Sequence, residues 1–183
     1  MPTLFISCVS NEFGNYREHF RKKFERPNLQ AKIQEDFNAY GGPTIHKLDD
    51  YIQNSVAIIH ICGDMTGSMV NKSSLDYINN KYKDFRARFP ALQPVLEGNI
   101  QASYTQWEAY MAAYHNKEIF VVIPTGDLKR SDAYKKEQHQ VDCQLAHLKI
   151  LKASGNYPEI SFGEMNELVA ELYRSHLSEI LNA

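Results

Sequence analysis

Val56-Ala57-Ile58-Ile59-His60-Ile61-Cys62 is an almost unbroken apolar run, and Gly63-Asp64-Met65-Thr66 follows it at once. A short, β-branched run of this kind, closed by turn residues, reads as a strand covered on both faces. That is the signature of a parallel sheet. Working outward, similar runs occur at 4–9 and 31–34 before it, and at 119–123 and, more weakly, 159–162 after it. Between them the apolar spacing lengthens to three and four. Phe13, Tyr16, Phe20 and Phe24 follow that rhythm, as do Ile45, Leu48 and Ile52. So do Trp107, Met111 and Tyr114, then Val141, Leu145 and Leu148, and finally Met165, Leu168, Leu172, Leu177 and Ile180. The order is β-α-β-α-β-(α)-α-β-α-β-α. It predicts an α/β fold: a flavodoxin-like, doubly wound parallel sheet of about five strands with helices on both faces.

One stretch breaks the repeat. Roughly forty residues separate the third strand from the Trp107 helix, more than a βα loop needs. Leu75, Ile78, Tyr82, Phe85 and Phe89 supply a helical stripe there, with Pro90 at its end. An inserted helix and an irregular connection from Pro94 to Gly98 are expected, the whole insertion covering about 67–102. Residues 1–183 then read as a single domain, one module of a longer protein.

Composition narrows the function classes. The 183 residues are 43% hydrophobic and 23% charged, which excludes a disordered or fibrous chain. Twenty Lys+Arg against 22 Asp+Glu leave a net charge of −2, so direct nucleic-acid binding is not expected. No apolar run approaches a membrane span and the N-terminus lacks a basic n-region, so neither a membrane nor a targeting segment is expected. Cys8, Cys62 and Cys143 are odd in number and widely spaced, as free thiols in a reducing cytoplasm would be. The first two are expected in neighbouring strands, where they could face each other. The seven histidines show no metal-ligand spacing, His60 reads as a hydrogen-bonded core residue, and no metal is expected.

In an open parallel sheet, ligands collect at the carboxyl ends of the strands. Here that edge carries Ser10-Asn11, then Asp36-Phe37, then Gly63-Asp64, then Pro124-Thr125-Gly126. There is no P-loop and no GxGxxG turn, so neither ATP nor a dinucleotide cofactor of the usual kind is expected. The most informative segment is Ser103-Tyr104-Thr105-Gln106-Trp107-Glu108. Ser103 with Gln106 three residues on forms a capping box, which starts a helix at Tyr104. Glu108 falls in its second turn, near the crevice, sharing a face with Thr105 and Ala112. A carboxylate at the rim of an aromatic-lined crevice can stabilise an oxocarbenium-like centre or hold ribose hydroxyls. It can equally do no more than complement the helix dipole. Gly41-Gly42-Pro43 reads either as a plain turn before a helix or as a mobile loop.

Taken in order, these segments resemble TIR domains. Leu4-Phe5-Ile6-Ser7-Cys8 is similar to their opening strand, and Glu35-Asp36 with Gly41-Gly42-Pro43-Thr44-Ile45 to their second strand and the loop after it. Ser103 to Ala112 resembles the helix that carries the catalytic glutamate of NAD-cleaving TIR domains, and also the T-x-x-E pattern of nucleoside 2-deoxyribosyltransferases. The likeness spans residues 3 to about 125 and is greatest to modules at the N-termini of bacterial NTPase or repeat-containing defence proteins. Trp107 directly before the glutamate, and the long insertion, set the chain apart from the family pattern. The resemblance implies an NAD glycohydrolase or cyclase, with NAD as substrate and no cofactor. It makes Glu108 catalytic, with Ser10, Asn11, Asp36, Phe37, Gly41, Gly42, Asp64, Tyr104 and Trp107 around the nucleotide. It further implies self-association through the loop 38–45 and activation by further domains or a partner. Two other readings share the fold: a TIR-type interaction module without catalysis, and a deoxyribosyltransferase-like enzyme using Glu108 as nucleophile.

Overall fold

The computed structural model describes residues 3–33, 44–155, 157 and 159–182. Five strands form one all-parallel sheet: β1 (Thr3–Ser7), β2 (Gln30–Ile33), β3 (Ser55–Ile61), β4 (Glu118–Pro124) and β5 (Glu159–Phe162). Their order across the sheet is β2-β1-β3-β4-β5, the flavodoxin-like arrangement expected from the alternating pattern. In register, Ser7 lies beside His60 and His60 beside Val121.

Side chains alternate across the pleat, so each strand feeds two cores. Phe5, Ile58, Ile119 and Val121 face one side. There they meet Ile45, Leu48 and Ile52 of α3 (Thr44–Gln53), the helix α7 (Tyr104–Tyr114), and Leu151 of α8 (Gln138–Ser154). Leu4, Ile6, Ile59, Ile61, Phe120 and Val122 face the other side. They pack on Phe13 of α1 (Ser10–Phe13), Phe20 and Phe24 of α2 (Arg17–Phe24), α9 (Met165–Arg174) and α10 (Leu177–Asn182). Each large apolar side chain buried in these layers contributes about 1.5–3 kcal/mol. The chain leaves β1 toward the second layer and β3 toward the first. Their carboxyl ends therefore flank the topological switch point, where such sheets open a crevice.

Four local expectations are corrected. The inserted stripe is not one helix but two, α4 (Lys72–Lys81) and α5 (Phe85–Arg88). The break falls at Tyr82, whose φ −117° and ψ 67° turn its ring inward so that its hydroxyl reaches the buried Asp49 carboxylate at 2.7 Å. Beyond Pro90 a short helix, α6 (Gln93–Leu96), replaces part of the irregular connection, and Gly98 then takes a φ of +75° that favours glycine. The C-terminal stripe is likewise broken at Ser175 into α9 and α10. In α8 the inward face is Gln144, His147 and Leu151, whereas Leu145 is 60% exposed. Polar partners beneath the helix, described below, select that face over the more apolar one.

Candidate functional site

The capping box predicted at Ser103 is present. Ser103 Oγ accepts from the Gln106 N–H at 3.2 Å, and Gln106 Oε1 accepts from the Ser103 N–H at 3.0 Å. The cap fixes where α7 begins, and therefore which residues of its first turns meet the sheet edge. Nine of its eleven residues are buried, so the helix is wedged between the sheet and the insertion.

At the switch point lies a crevice of about 150 Å3. Val9, Ser10 and Asn11 after β1 form one wall, Gly67 and Ser68 after β3 a second, and Tyr104 and Thr105 at the start of α7 the third. It is smaller than the roughly 300–1,000 Å3 of a typical ligand pocket and suits a sugar-sized group. Gly67 adopts φ +78°, and a Cβ there would stand 3.5 Å from Thr105 Oγ1 and from a Val9 methyl. Tyr104 donates its backbone N–H to Ser68 O at 3.0 Å, and an Arg17 guanidinium nitrogen donates to the Ser10 hydroxyl.

Glu108 sits one helical turn from Thr105, behind that wall. Its exposure is 0%, and neither carboxylate oxygen has a hydrogen-bond partner among the described residues. Burial pushes its pKa well above the ordinary carboxylate range; the Ser7 hydroxyl opposes this and does not outweigh it. The Ser7 hydroxyl is already engaged, 2.9 Å from His60 Nδ1 and 3.5 Å from Thr105 O. Burial thus favours the neutral form of Glu108 more than in an exposed carboxyl. A buried, unpartnered carboxyl costs stability, so it stands out among the buried carboxyls of the described residues.

The contrast is clear. Glu12 is equally buried, but accepts from the Asp64 and Met65 N–H groups at 3.0 and 2.8 Å and pairs with Arg130 at 2.8 Å. Asp49 is buried too, but bonds Tyr82, Lys81 at 2.7 Å and His115 at 3.0 Å. Burial alone would raise its carboxyl, yet the hydrogen bonds from His115, Lys81 and Tyr82 hold it at about 2. Both are structural clamps: Glu12 on the loop after β3, Asp49 between α3, the insertion and the end of α7.

Of the residues expected around a nucleotide, Ser10, Asn11 and Tyr104 are brought together on the crevice. Asp64 is not on its wall; its carboxylate accepts from Tyr134 and lies 3.3 Å from Lys136 Nζ. Trp107 is in the core, edge-on to Phe85 and Tyr110 with ring centroids 6.0 and 5.6 Å away. One residue of helix is about 100° of rotation, so it points to the insertion when Glu108 points to the sheet. Asp36, Phe37, Gly41 and Gly42, with the loop 38–43, lie outside the described residues. Ile45, at the end of the segment expected to self-associate, is fully buried on the sheet and presents no surface.

Sequence reading missed a buried polar chain behind the crevice. His60 Nε2 lies 2.9 Å from His147 Nε2, and His147 Nδ1 lies 2.8 Å from the Tyr110 hydroxyl. With the Ser7 contact this makes a line Ser7–His60–His147–Tyr110. Burial depresses both imidazoles, His60 to about 4 and His147 well below its ordinary value, with His60 adding to the latter's shift. Gln144 Nε2 donates to Met65 O, and Gln144 Oε1 accepts from Gln106 Nε2, each at 2.9 Å. These contacts explain why α8 turns His147 and Gln144 inward. Cys8 packs in the second core layer, whereas Cys62 Sγ lies within 4.8 Å of the His60 and His147 ligand nitrogens, so the two thiols do not face each other, the possibility that neighbouring strands left open. His60 is the hydrogen-bonded core residue anticipated. The sequence spacing of the histidines gave no metal set, yet the fold gathers His60, Cys62 and His147, because α8 and β3 are distant in sequence but share one face of the sheet.

A scan of the sequence against protein-family models finds no match, and a search of curated proteins finds none either. Among the described residues no helix is long and apolar enough to cross a membrane. The fold is α/β of flavodoxin-like topology, and among the described residues one buried carboxyl, that of Glu108 behind the crevice, has no hydrogen-bond partner.

Proposed function

We propose that this chain cleaves the bond between nicotinamide and ribose in NAD, by hydrolysis or by cyclisation, with Glu108 as the catalytic carboxylate. The observation that carries the reading is the fully buried Glu108 carboxyl with no hydrogen-bond partner among the described residues, one turn behind a sugar-sized crevice at the sheet's switch point. The TIR resemblance of 103–112 supplies the substrate class.

The chemistry matches that environment. The nicotinamide ring of NAD is cationic and leaves as a neutral base, so no proton need be given to it. What the site must do is hold the ribose and stabilise the cation that develops at C1′. Burial disfavours the charged form of this glutamate, and an arriving cationic substrate favours the carboxylate, so binding pulls the group toward ionisation. Its proton passes to solvent, and the carboxylate then faces the oxocarbenium-like centre with little water to weaken it. Ser10, Asn11 and Thr105 offer hydroxyl and amide groups to the sugar. The sequence likeness adds that the module is a defence effector switched on by self-assembly, working in the cytoplasm.

The test is mass-spectrometric analysis of NAD incubated with the protein, both dilute and concentrated enough to assemble, beside Glu108→Gln. Free nicotinamide with ADP-ribose or its cyclic form, lost in the variant, is the expected result. Intact NAD in the assembled sample, or full turnover by the variant, overturns the reading. Base exchange between deoxynucleosides would transfer the site to the deoxyribosyltransferase class.

A further inference from the structure

We propose that His60, Cys62 and His147 form a binding site for a single d10 metal cation, Cu+ or Zn2+, independent of the Glu108 chemistry. Three observations meet there. First, the ligand atoms converge: the two Nε2 atoms are 2.9 Å apart, and they and Cys62 Sγ all lie within 4.8 Å of one another, all buried. Secondly, the outward nitrogens are held. His60 Nδ1 is 2.9 Å from the Ser7 hydroxyl, and His147 Nδ1 is 2.8 Å from that of Tyr110. Metal-bound imidazoles are commonly oriented this way, with the distal nitrogen hydrogen-bonded. Thirdly, a hollow borders one of the three ligands, His147. A hollow of about 250 Å3 is lined by His139, Cys143, His147 and Tyr110. His139, Cys143 and His147 succeed each other one turn apart on α8, and the first two are in contact at 3.9 Å.

The donor set selects the ion. Two imidazoles and one thiol suit borderline-to-soft metals and disfavour Mg2+ and Ca2+. A cation bound at about 2.0–2.1 Å to nitrogen and about 2.3 Å to sulfur needs ligand atoms roughly 3.4 Å apart or a little more. The two Nε2 atoms therefore open by about 0.5 Å, a side-chain adjustment. Three donors complete a trigonal Cu+ site, and one thiolate neutralises that ion. Zn2+ takes a fourth ligand and leaves a net positive charge.

Binding is balanced as follows. The Cys62 thiol loses its proton to solvent as the metal–sulfur bond forms. The proton between the two Nε2 atoms moves to whichever Nδ1 is bare, so each imidazole stays neutral and presents Nε2 to the metal. One proton is released per cation.

The experiment titrates the whole purified chain with Cu+ under anaerobic conditions against a coloured Cu+ chelator, and separately with Zn2+ against a coloured Zn2+ chelator. Co2+ serves as the spectroscopic stand-in for Zn2+. The expected result is one equivalent bound, one proton released, and a thiolate-to-cobalt band in the near ultraviolet. Cys62→Ser and His147→Gln should each weaken binding by about 100-fold or more. His139→Ala combined with Cys143→Ala, on the hollow, should slow uptake and leave the affinity intact; this variant keeps the proposal testable if the buried ones do not fold. No binding of either ion at micromolar concentration, or wild-type affinity in a folded Cys62→Ser protein, overturns the proposal. Neither result bears on NAD cleavage, and loss of NAD cleavage does not bear on it.

Discussion

The Glu12 carboxylate occupies the space that a side chain at position 63 would need: a Cβ on Gly63 would stand 2.3 Å from Glu12 Oε1. The close approach lets the carboxylate gather the Asp64 and Met65 N–H groups and Arg130 at once, and so hold the loop that leads from β3 to the crevice. Gly63→Ala must displace the carboxylate from those partners. Urea unfolding should show a loss of about 1–3 kcal/mol, the usual cost of overpacking. An unchanged midpoint would mean that the loop is not held by this clamp.

Glu108 should act in the opposite sense. Its folded pKa is raised, so its contribution to stability is complete below the unfolded value of 4.5 and is lost as pH rises through the folded value. Replacing it by glutamine removes that loss. Glu108→Gln should therefore raise Tm at pH 7–8, with the gain shrinking toward pH 4.5, even as activity disappears. A Tm that falls equally at both pH values would show a carboxyl needed for structure.

The same elevated pKa shapes the kinetics under the proposed function. Because the carboxylate is the active form, kcat/KM for NAD should rise about tenfold per pH unit below the raised pKa and level off above it, at a pH higher than an ordinary carboxylate would give. A profile already flat from pH 5 upward would show Glu108 ionised throughout.

The paired imidazoles govern a separate window. In the unfolded chain His60 takes up a proton near pH 6.5, but in the folded chain only near 4. Stability is therefore full above 6.5 and declines as pH falls toward 4, by about 3 kcal/mol for His60. Substituting Asn at position 60 should flatten this part of the pH–stability curve, measured by chemical unfolding at half-unit steps.

Asp49 acts lower still. Its folded value of about 2 lies below the ordinary 3.8, so its stabilisation is present above 3.8 and lost as pH falls through 2. Asp49→Ala leaves His115, Lys81 and the Tyr82 hydroxyl without their common acceptor and should cost about 2 kcal/mol or more at pH 7. An effect below about 0.5 kcal/mol would mean that water replaces the carboxylate without loss.

Much of the architecture was legible in the chain because it rests on local rules. Continuous apolar runs such as 56–62 announce strands covered on both faces, and the alternation of periods announces the crossovers. Ser103 and Gln106 announced the start of α7, since a capping box closes within four residues. Contacts made by the fold alone were not legible there. Nothing along the sequence links His60 to His147, Glu12 to Arg130, or Asp49 to His115, 87, 118 and 66 residues apart. Trp107 and Glu108 are neighbours whose roles the helix separates by rotation, and α8 buries Gln144 and His147 in place of Leu145 because the polar groups beneath it need partners. The order of elements follows from periodicity, which each segment carries within itself. Whether a carboxyl ends up satisfied, as in Glu12, or bare, as in Glu108, depends on which distant groups the packed sheet and helices bring to it, and only the tertiary structure decides that.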